Sequence, residues 1–302
     1  MTSFNHNNFY AMGTRCSVVL PDVDDEDSDN IYRNIENEIR RIEAMLSRFQ
    51  PESDISRLNR EAAKQPVPVK KELFQILKAC HYYYKISGGC FDITLRPVLQ
   101  YWKEHPGGDR EAVKRLLEHL GADKISLRKK DCLVSFDNEY TTIDLGGFGK
   151  GYALEEVHKK LLRYGITSAF ISMGESSILT MGNHPAGDCW KVGIKDYMDH
   201  EKALHTFNVR YGSVSTSSNF FVNDRGELVN HKHVIDPFTG VPLEKLITVS
   251  VCSESAVVAE VMSTAFLVMP ADQIKKVKEQ LKVATEVLRA DYTSGKAEIS
   301  VF

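Results

Sequence analysis

Ile143-Asp144-Leu145-Gly146-Gly147-Phe148-Gly149-Lys150-Gly151-Tyr152-Ala153 is the stretch on which the reading of this chain turns. An apolar run rich in β-formers, Tyr140 to Leu145, runs into four glycines and one lysine. Beyond them the spacing of Leu154, Val157 and Leu161 predicts a helix over 152–164, with Gly165 as its stop. Glycine permits φ > 0 and lets a ligand approach the backbone closely. A helix start offers unpaired N–H groups and partial positive charge, to which Lys150 adds a full charge. Strand, glycines, lysine and helix together describe an anion site, with phosphate as its natural occupant.

The pattern is neither of the familiar nucleotide loops. Lys150 is followed by Gly151, not by the Ser or Thr of a Walker loop, and G-G-x-G-x-G is not the dinucleotide spacing. A tight strand-to-helix turn with a surface lysine is the plain alternative, and the rest of the chain has to decide.

Composition narrows the classes. At 302 residues the chain can bury a substantial core, and 42% hydrophobic with 26% charged residues is ordinary for a globular protein, which excludes disorder. A formal net charge of -3 gives no electrostatic reason to expect nucleic acid. Six cysteines lie scattered without C-x-x-C or zinc spacing, so each is expected to pack as a small apolar residue, which favours a reducing compartment. The start, MTSFNHNNFYAMGT, has no basic opening and no apolar core, so as the chain stands a cytoplasmic location is expected. No run approaches membrane-spanning length.

Taken in order, 14–20 reads as a strand. The acidic run from Asp22 to Asp29 lacks calcium-loop spacing and reads as a solvated loop capping the next helix. That helix, 31–49, aligns Ile31, Ile35, Ile39, Ile42, Leu46 and Phe49 on one face. Residues 47–60 read as a turn-rich loop and 70–86 as a helix. A short helix carrying Pro97 in its first turn runs through Trp102, and another covers 109–120. Strands follow over 124–144 and 168–173, and 190–252 is mostly strand. Helices at 257–269 and after Pro270 precede two closing strands. Strands and helices mix without strict alternation, so the expected fold class is α+β, mixed or antiparallel sheets packed with helices. No linker or short repeat divides the chain, so one compact unit over 1–302 is expected.

Two further clusters carry chemistry. In Asn230-His231-Lys232-His233-Val234-Ile235-Asp236-Pro237-Phe238-Thr239-Gly240 a strand would deliver His233, a candidate general base, and Asp236 either orients it or caps the turn. In Ala259-Glu260-Val261-Met262-Ser263-Thr264 the spacing puts Glu260 and Thr264 on one helix face beside Ser263. One carboxylate and two hydroxyls are hard oxygen ligands suited to Mg²⁺. Locally the pattern favours the plainer reading, a first-turn glutamate at the helix dipole with back-bonded hydroxyls.

With these residues in place, the sequence resembles the ApbE family, the FAD:protein FMN transferases. The likeness rests on Met12-Gly13-Thr14, Ser47-Arg48-Phe49 with Ser53-Asp54-Ile55, and Gly89-Cys90-Phe91-Asp92-Ile93-Thr94. It continues through Asp144 to Ala153, Thr216-Ser217, His233 to Gly240 with Pro242, and Ala256 to Thr264. The resemblance implies an ApbE-like, T-fold-related architecture. It also implies Mg²⁺-dependent transfer of FMN from FAD to a threonine or serine hydroxyl of an acceptor flavoprotein, releasing AMP. In that reading Met12, Phe49, Cys90 and Phe91 contact FAD, as do Asp92, Asp144, Lys150 and Val234. Gly147 (through its carbonyl), Glu260, Ser263 and Thr264 surround the metal, and His233, with Lys150 on the phosphates, carries the catalysis. The chain departs from the family pattern at Glu260, where aspartate is usual, and at Glu175 and Ser218, where glycine is. Many relatives are exported lipoproteins, so a periplasmic location is expected instead if a native leader was removed. A metal-dependent FAD pyrophosphatase, with water as the acceptor, and a non-catalytic FAD-binding protein are the competing functions.

Overall fold

The computed structural model describes residues 5–21, 23, 25–199 and 201–302, which leaves Asp22 and Asp24 of the acidic run outside the described residues. The chain opens as a hairpin of β1 (Asn5–Ala11) and β2 (Thr14–Leu20), turned at Met12 and Gly13, both with positive φ. Helix α1 (Asp25–Leu46) begins inside the acidic run and buries Ile31, Ile35, Ile39, Ile42 and Leu46, as its periodicity predicts. It stops short of Phe49, which is 77% exposed and shares no face with them. A further helix, α2 (Asp54–Glu61), stands where a loop was expected; the Ser53 hydroxyl caps it by accepting from the Ser56 N–H, and Ile55 and Leu58 are buried.

Next come β3 (Val67–Pro68), α3 (Lys71–Ile86), α4 (Arg96–Glu104) and α5 (Arg110–Leu117). β4 (Ile125–Arg128) and β5 (Leu133–Phe136) join β3 in a small sheet of order β3-β5-β4. Helix α6 (Gly149–Arg163) leads to β6 (Ala169–Met173) and β7 (Ser177–Met181), a hairpin whose second strand is absent from the sequence reading. The chain continues through β8 (Trp190–Lys195), β9 (Ala203–Val209), β10 (Gly212–Ser218), β11 (Phe220–Val222) and β12 (Leu228–Asn230). It closes with β13 (Ile247–Ser253), α7 (Ala256–Val268), α8 (Ala271–Gln280), β14 (Thr285–Asp291) and β15 (Glu298–Val301).

Eight of the strands form one sheet of order β1-β2-β6-β7-β10-β13-β14-β15, with every pairing antiparallel. Helix α7, apolar almost all round and buried along its length, lies on β10 and β13; α6 packs on α7 and α1 on α6. The β8–β9 hairpin contributes Val192, Ile194, Phe207 and Val209 to a second cluster with Val214 and Leu288 of the large sheet. The α+β reading is therefore correct, and of its two sheet types the antiparallel one applies.

The glycine stretch differs from its expectation in two ways. Residues 141–145 join no sheet. Instead Asn59 of α2 pairs with Ile143 through both amide atoms (2.7 and 2.9 Å), and Asp144 N–H donates to the Ile93 carbonyl (2.8 Å). A side-chain amide thus supplies the partner that a neighbouring strand would have supplied. Helix α6 also starts three residues early, and none of Gly146, Gly147, Gly149 or Gly151 has a positive φ. Their use is close approach. A Cβ on Gly151 would lie 2.5 Å from the Ala256 carbonyl oxygen and 2.7 Å from Glu260 Cβ, where α6 crosses α7. Gly151→Ala is therefore expected to destabilise the fold by about 1–3 kcal/mol in chemical denaturation, overpacking outweighing alanine's better helix propensity. Unchanged stability would contradict this reading of the crossing.

Candidate active site

Strand geometry puts Ser213, Ser215 and Ser217 of β10 on one face, and helical spacing puts Glu260, Ser263 and Thr264 on one face of α7. The two faces meet. Glu260, only 4% exposed, accepts from Ser177 Oγ (2.6 Å) and Ser215 Oγ (2.8 Å) on Oε2, and its Oε1 is 2.5 Å from Lys150 Nζ. Ser263 Oγ donates to the Glu260 carbonyl (2.9 Å) and lies 2.8 Å from Ser217 Oγ. Thr264 Oγ1 also reaches the Glu260 carbonyl (3.3 Å). A buried carboxylate needs such partners, because desolvation without them costs several kcal/mol.

A cleft of about 1030 Å³ opens beside this layer, at the upper end of the range for pockets that enclose drug-sized ligands. Lys150, Glu260 and Thr264 line it from the helices, and Asp144, Gly146 and Gly147 from the glycine stretch. Cys90, Phe91 and Asp92 line it from the turn after α3, and His233 and Val234 from the segment after β12. The start of α6 has no side-chain cap and no acidic residue in its first turn, so its positive end is left for an anion.

Three residues expected at the ligand do not line this cleft. Met12 packs against the start of α6, its Cε 3.1 Å from where a Gly149 Cβ would be. Ser263 is fully buried in the hydroxyl layer behind Thr264. Phe49 points outward with the Arg48 guanidinium stacked on its ring at 3.8 Å. Arg48, not Phe49, lines the cleft, where its Nε meets Asp144 Oδ2 at 2.5 Å. Asp144 Oδ1 in turn accepts from the Gly146 N–H (3.0 Å) and holds the glycine turn.

Electrostatics set the protonation states. Burial pushes the Cys90 thiol up to about 11, so it is a packing group and not a nucleophile. Burial also raises Asp92 to about 6, against two hydrogen bonds from Thr94 that favour its ionised form. His233 is pushed down to about 4, first by partial desolvation in the cleft wall, then by the charges of His231 and Lys103. Its side chain remains open to the cleft, so the ring is a neutral, solvent-reached imidazole at pH 7. Asp236 does not orient it. The Asp236 carboxylate caps the following turn, accepting from Phe238 N–H (2.8 Å) and Thr239 N–H (3.2 Å).

Sequence reasoning missed the roles of Arg48, Ser177 and Ser215. The alternating serines of G-S-V-S-T-S-S were the available signal for a polar face in a buried strand. Glu175 follows Gly174, whose added Cβ would lie 2.2 Å from Thr14 Oγ1. Glu175 itself adopts φ 59°, a conformation natural to glycine, and reaches Lys195 (3.4 Å) on the cleft lining. All six cysteines are free; Cys16, Cys80 and Cys90 are buried and the others half-buried. No helix among the described residues is long and apolar enough to cross a membrane.

Comparison with known proteins gives the same picture. The ApbE family matches residues 12–288. A FAD:protein FMN transferase of Escherichia coli (strain K12) is 25% identical over 305 residues, covering 96% of this chain and 85% of its own. One from Chlamydia trachomatis serovar D is 27% identical over 263 residues, covering 82% and 79%. The crystal structure of the ApbE protein from Thermotoga maritima superposes with a TM-score of 0.84 at 24% identity, covering 99% of this chain and 96% of that one. The flavin transferase ApbE from Vibrio cholerae superposes at 0.82 with 20% identity, covering 99% and 97%. On this match across almost its whole length, the chain belongs to the ApbE family.

Proposed function

We propose that the cleft binds FAD and that the chain, with Mg²⁺, transfers the FMN half to a threonine or serine hydroxyl of an acceptor flavoprotein, releasing AMP. The observation that carries this reading is the opening of Lys150, His233 and Thr264, from three distant segments, onto one cleft at an uncapped helix start. The names of the relatives supply the substrate. The acceptor oxygen attacks the FMN phosphorus, the bond to AMP breaks, and the hydroxyl proton passes to His233. Phosphoryl transfer needs positioning and charge neutralisation more than covalent help. Lys150, Arg48 and the α6 N-terminus are placed to supply both.

The donor set fits a hard cation. Among the described residues no group of three or more His, Cys, Asp or Glu side chains is placed to hold a metal, so one carboxylate must work with hydroxyl and carbonyl oxygens. Glu260, Thr264 and the Gly147 carbonyl would hold Mg²⁺, with Ser263 supporting from behind. In the described structure the Lys150 ammonium is the cation beside Glu260. Bound there, Mg²⁺ would polarise the pyrophosphate and stabilise the departing AMP.

His233 gives a separate check. An NMR titration of the free protein is expected to show its imidazole protonating near 4; a midpoint at or above the ordinary 6.5 would contradict the cleft electrostatics. The unfolded chain takes up this proton at higher pH than the folded one, so His233 lowers stability as pH falls from about 6.5 towards 4. A pyrophosphate bound beside the ring would raise its pKa towards the working range of a general base. The proposed function is tested by incubating the chain with FAD, Mg²⁺ and an acceptor domain and looking for covalently bound flavin together with AMP.

A further inference from the structure

We propose that His231 is a positioning residue. By accepting the Nδ1–H of His233 it fixes that imidazole in the tautomer whose bare Nε2 is left for the cleft. The choice of donor and the effect on turnover rest on the transferase reading; the hydrogen bond shared by the two Nδ1 atoms does not.

The two Nδ1 atoms are 2.9 Å apart, with ring centroids at 4.7 Å and planes at 66°. Two bare nitrogens would repel at that distance and two protonated ones would collide, so one carries the hydrogen and the other receives it. His233 lines the cleft and His231 does not. Since Nδ1 of His233 is turned to its neighbour, Nε2 is the nitrogen that can serve an acceptor hydroxyl. Were His231 the donor, His233 would carry its hydrogen on Nε2 and have no base to offer. With His233 as donor, the base is free. The Nδ1–H···N bond also becomes charge-assisted, and stronger, when His233 takes the hydroxyl proton.

The backbone is built for this approach. Side chains two residues apart on an extended strand stand roughly 6.6 Å apart along it. Here Lys232 takes φ 50°, a left-handed turn between the two histidines that folds their rings together. Two asparagines hold that turn. Asn230 accepts from Lys232 N–H (2.8 Å) and donates to the Leu243 carbonyl (2.7 Å). The Asn219 carbonyl accepts from His231 N–H (2.8 Å), and its amide donates to Lys245 O (2.6 Å). His231 itself is exposed and edge-on to Phe221, so replacing it leaves the core intact.

Long-range ¹H–¹⁵N correlation spectra of the full chain without ligand, near pH 7, read the tautomer directly. The His233 and His231 rings are assigned with His233→Asn and His231→Phe. The expected result is His233 protonated on Nδ1, with that preference lost in His231→Phe; a wild-type His233 protonated on Nε2 overturns the proposal. In the transfer assay His231→Phe should lower kcat about tenfold to hundredfold, with KM for FAD unchanged within about twofold. His231→Asn, whose Oδ1 can take the place of Nδ1, should recover most of the loss. Equal losses in both variants overturn the proposal. If the wild-type chain transfers no FMN at all, the transferase reading fails, and the spectra still decide the role of His231.

Discussion

His233→Ala should cut FMN transfer about 10²- to 10⁴-fold, the usual contribution of a positioned general base, while FAD affinity changes little. The two halves of this result have separate causes. His233 is the neutral, solvent-reached imidazole of the cleft, in the form that takes a proton at pH 7. The groups proposed to hold phosphate, Lys150, Arg48 and the start of α6, lie on other segments and remain in the variant. Single-turnover kinetics with saturating FAD, alongside a direct binding titration, separates the two. Loss of binding equal to the loss of turnover would make His233 a binding residue and remove it from the chemistry.

Changes at Glu260 should be equally large but of a different kind. Glu260→Ala leaves the Ser177 and Ser215 hydroxyls unpaired in a buried layer and takes the partner from the Lys150 ammonium at the cleft edge. Breaking one side of such a network is expected to cost about 3–5 kcal/mol in denaturant unfolding. Glu260→Gln keeps the volume and an oxygen acceptor, so it should fold with a smaller loss. It should still fail in Mg²⁺-dependent transfer, because the single carboxylate of the donor set has lost its charge. If Glu260→Gln keeps full metal-dependent turnover, the cation lies elsewhere and Glu260 serves only to anchor Lys150. The short Lys150–Glu260 contact bears on both roles, since a bound metal would compete with the ammonium for the same oxygen.

Much of this was legible in the sequence wherever a periodic signal met a matching environment. The isoleucines of α1 and the Leu154, Val157 and Leu161 row of α6 are buried as their spacing requires. The readings that failed did so for local reasons. Residues 140–145 carry strand-forming side chains, yet strand formation needs a partner backbone, and Asn59 takes that place. Helix α2 is a short element in a polar sequence, announced only by its Ser53 cap. Phe49 continued the α1 pattern on paper, but the helix had ended three residues before it. Of the two uses that the sequence assigns to the glycines of 146–151, positive φ and close approach of a ligand, the first does not occur, and packing between α6 and α7 explains Gly151 while contact with Thr264 explains Gly147. The hydroxyl layer was out of reach, because nothing local in G-S-V-S-T-S-S says which strand face meets which helix. At the site, residues on the same segment were easy to group. Pairings such as Arg48 with Asp144 and Ser177 with Glu260 join residues far apart in the chain, and only the fold brings them together.

The most direct measurement is intact-mass analysis of an acceptor flavoprotein domain after incubation with this chain, FAD and Mg²⁺, with AMP quantified in the same sample. The account predicts one FMN gained per target threonine or serine, one AMP released for each, and both products formed about 10²- to 10⁴-fold more slowly by His233→Ala. AMP with free FMN and an unmodified acceptor would show that water, not a protein hydroxyl, attacks in this cleft; intact FAD with no AMP and an unmodified acceptor would contradict the account.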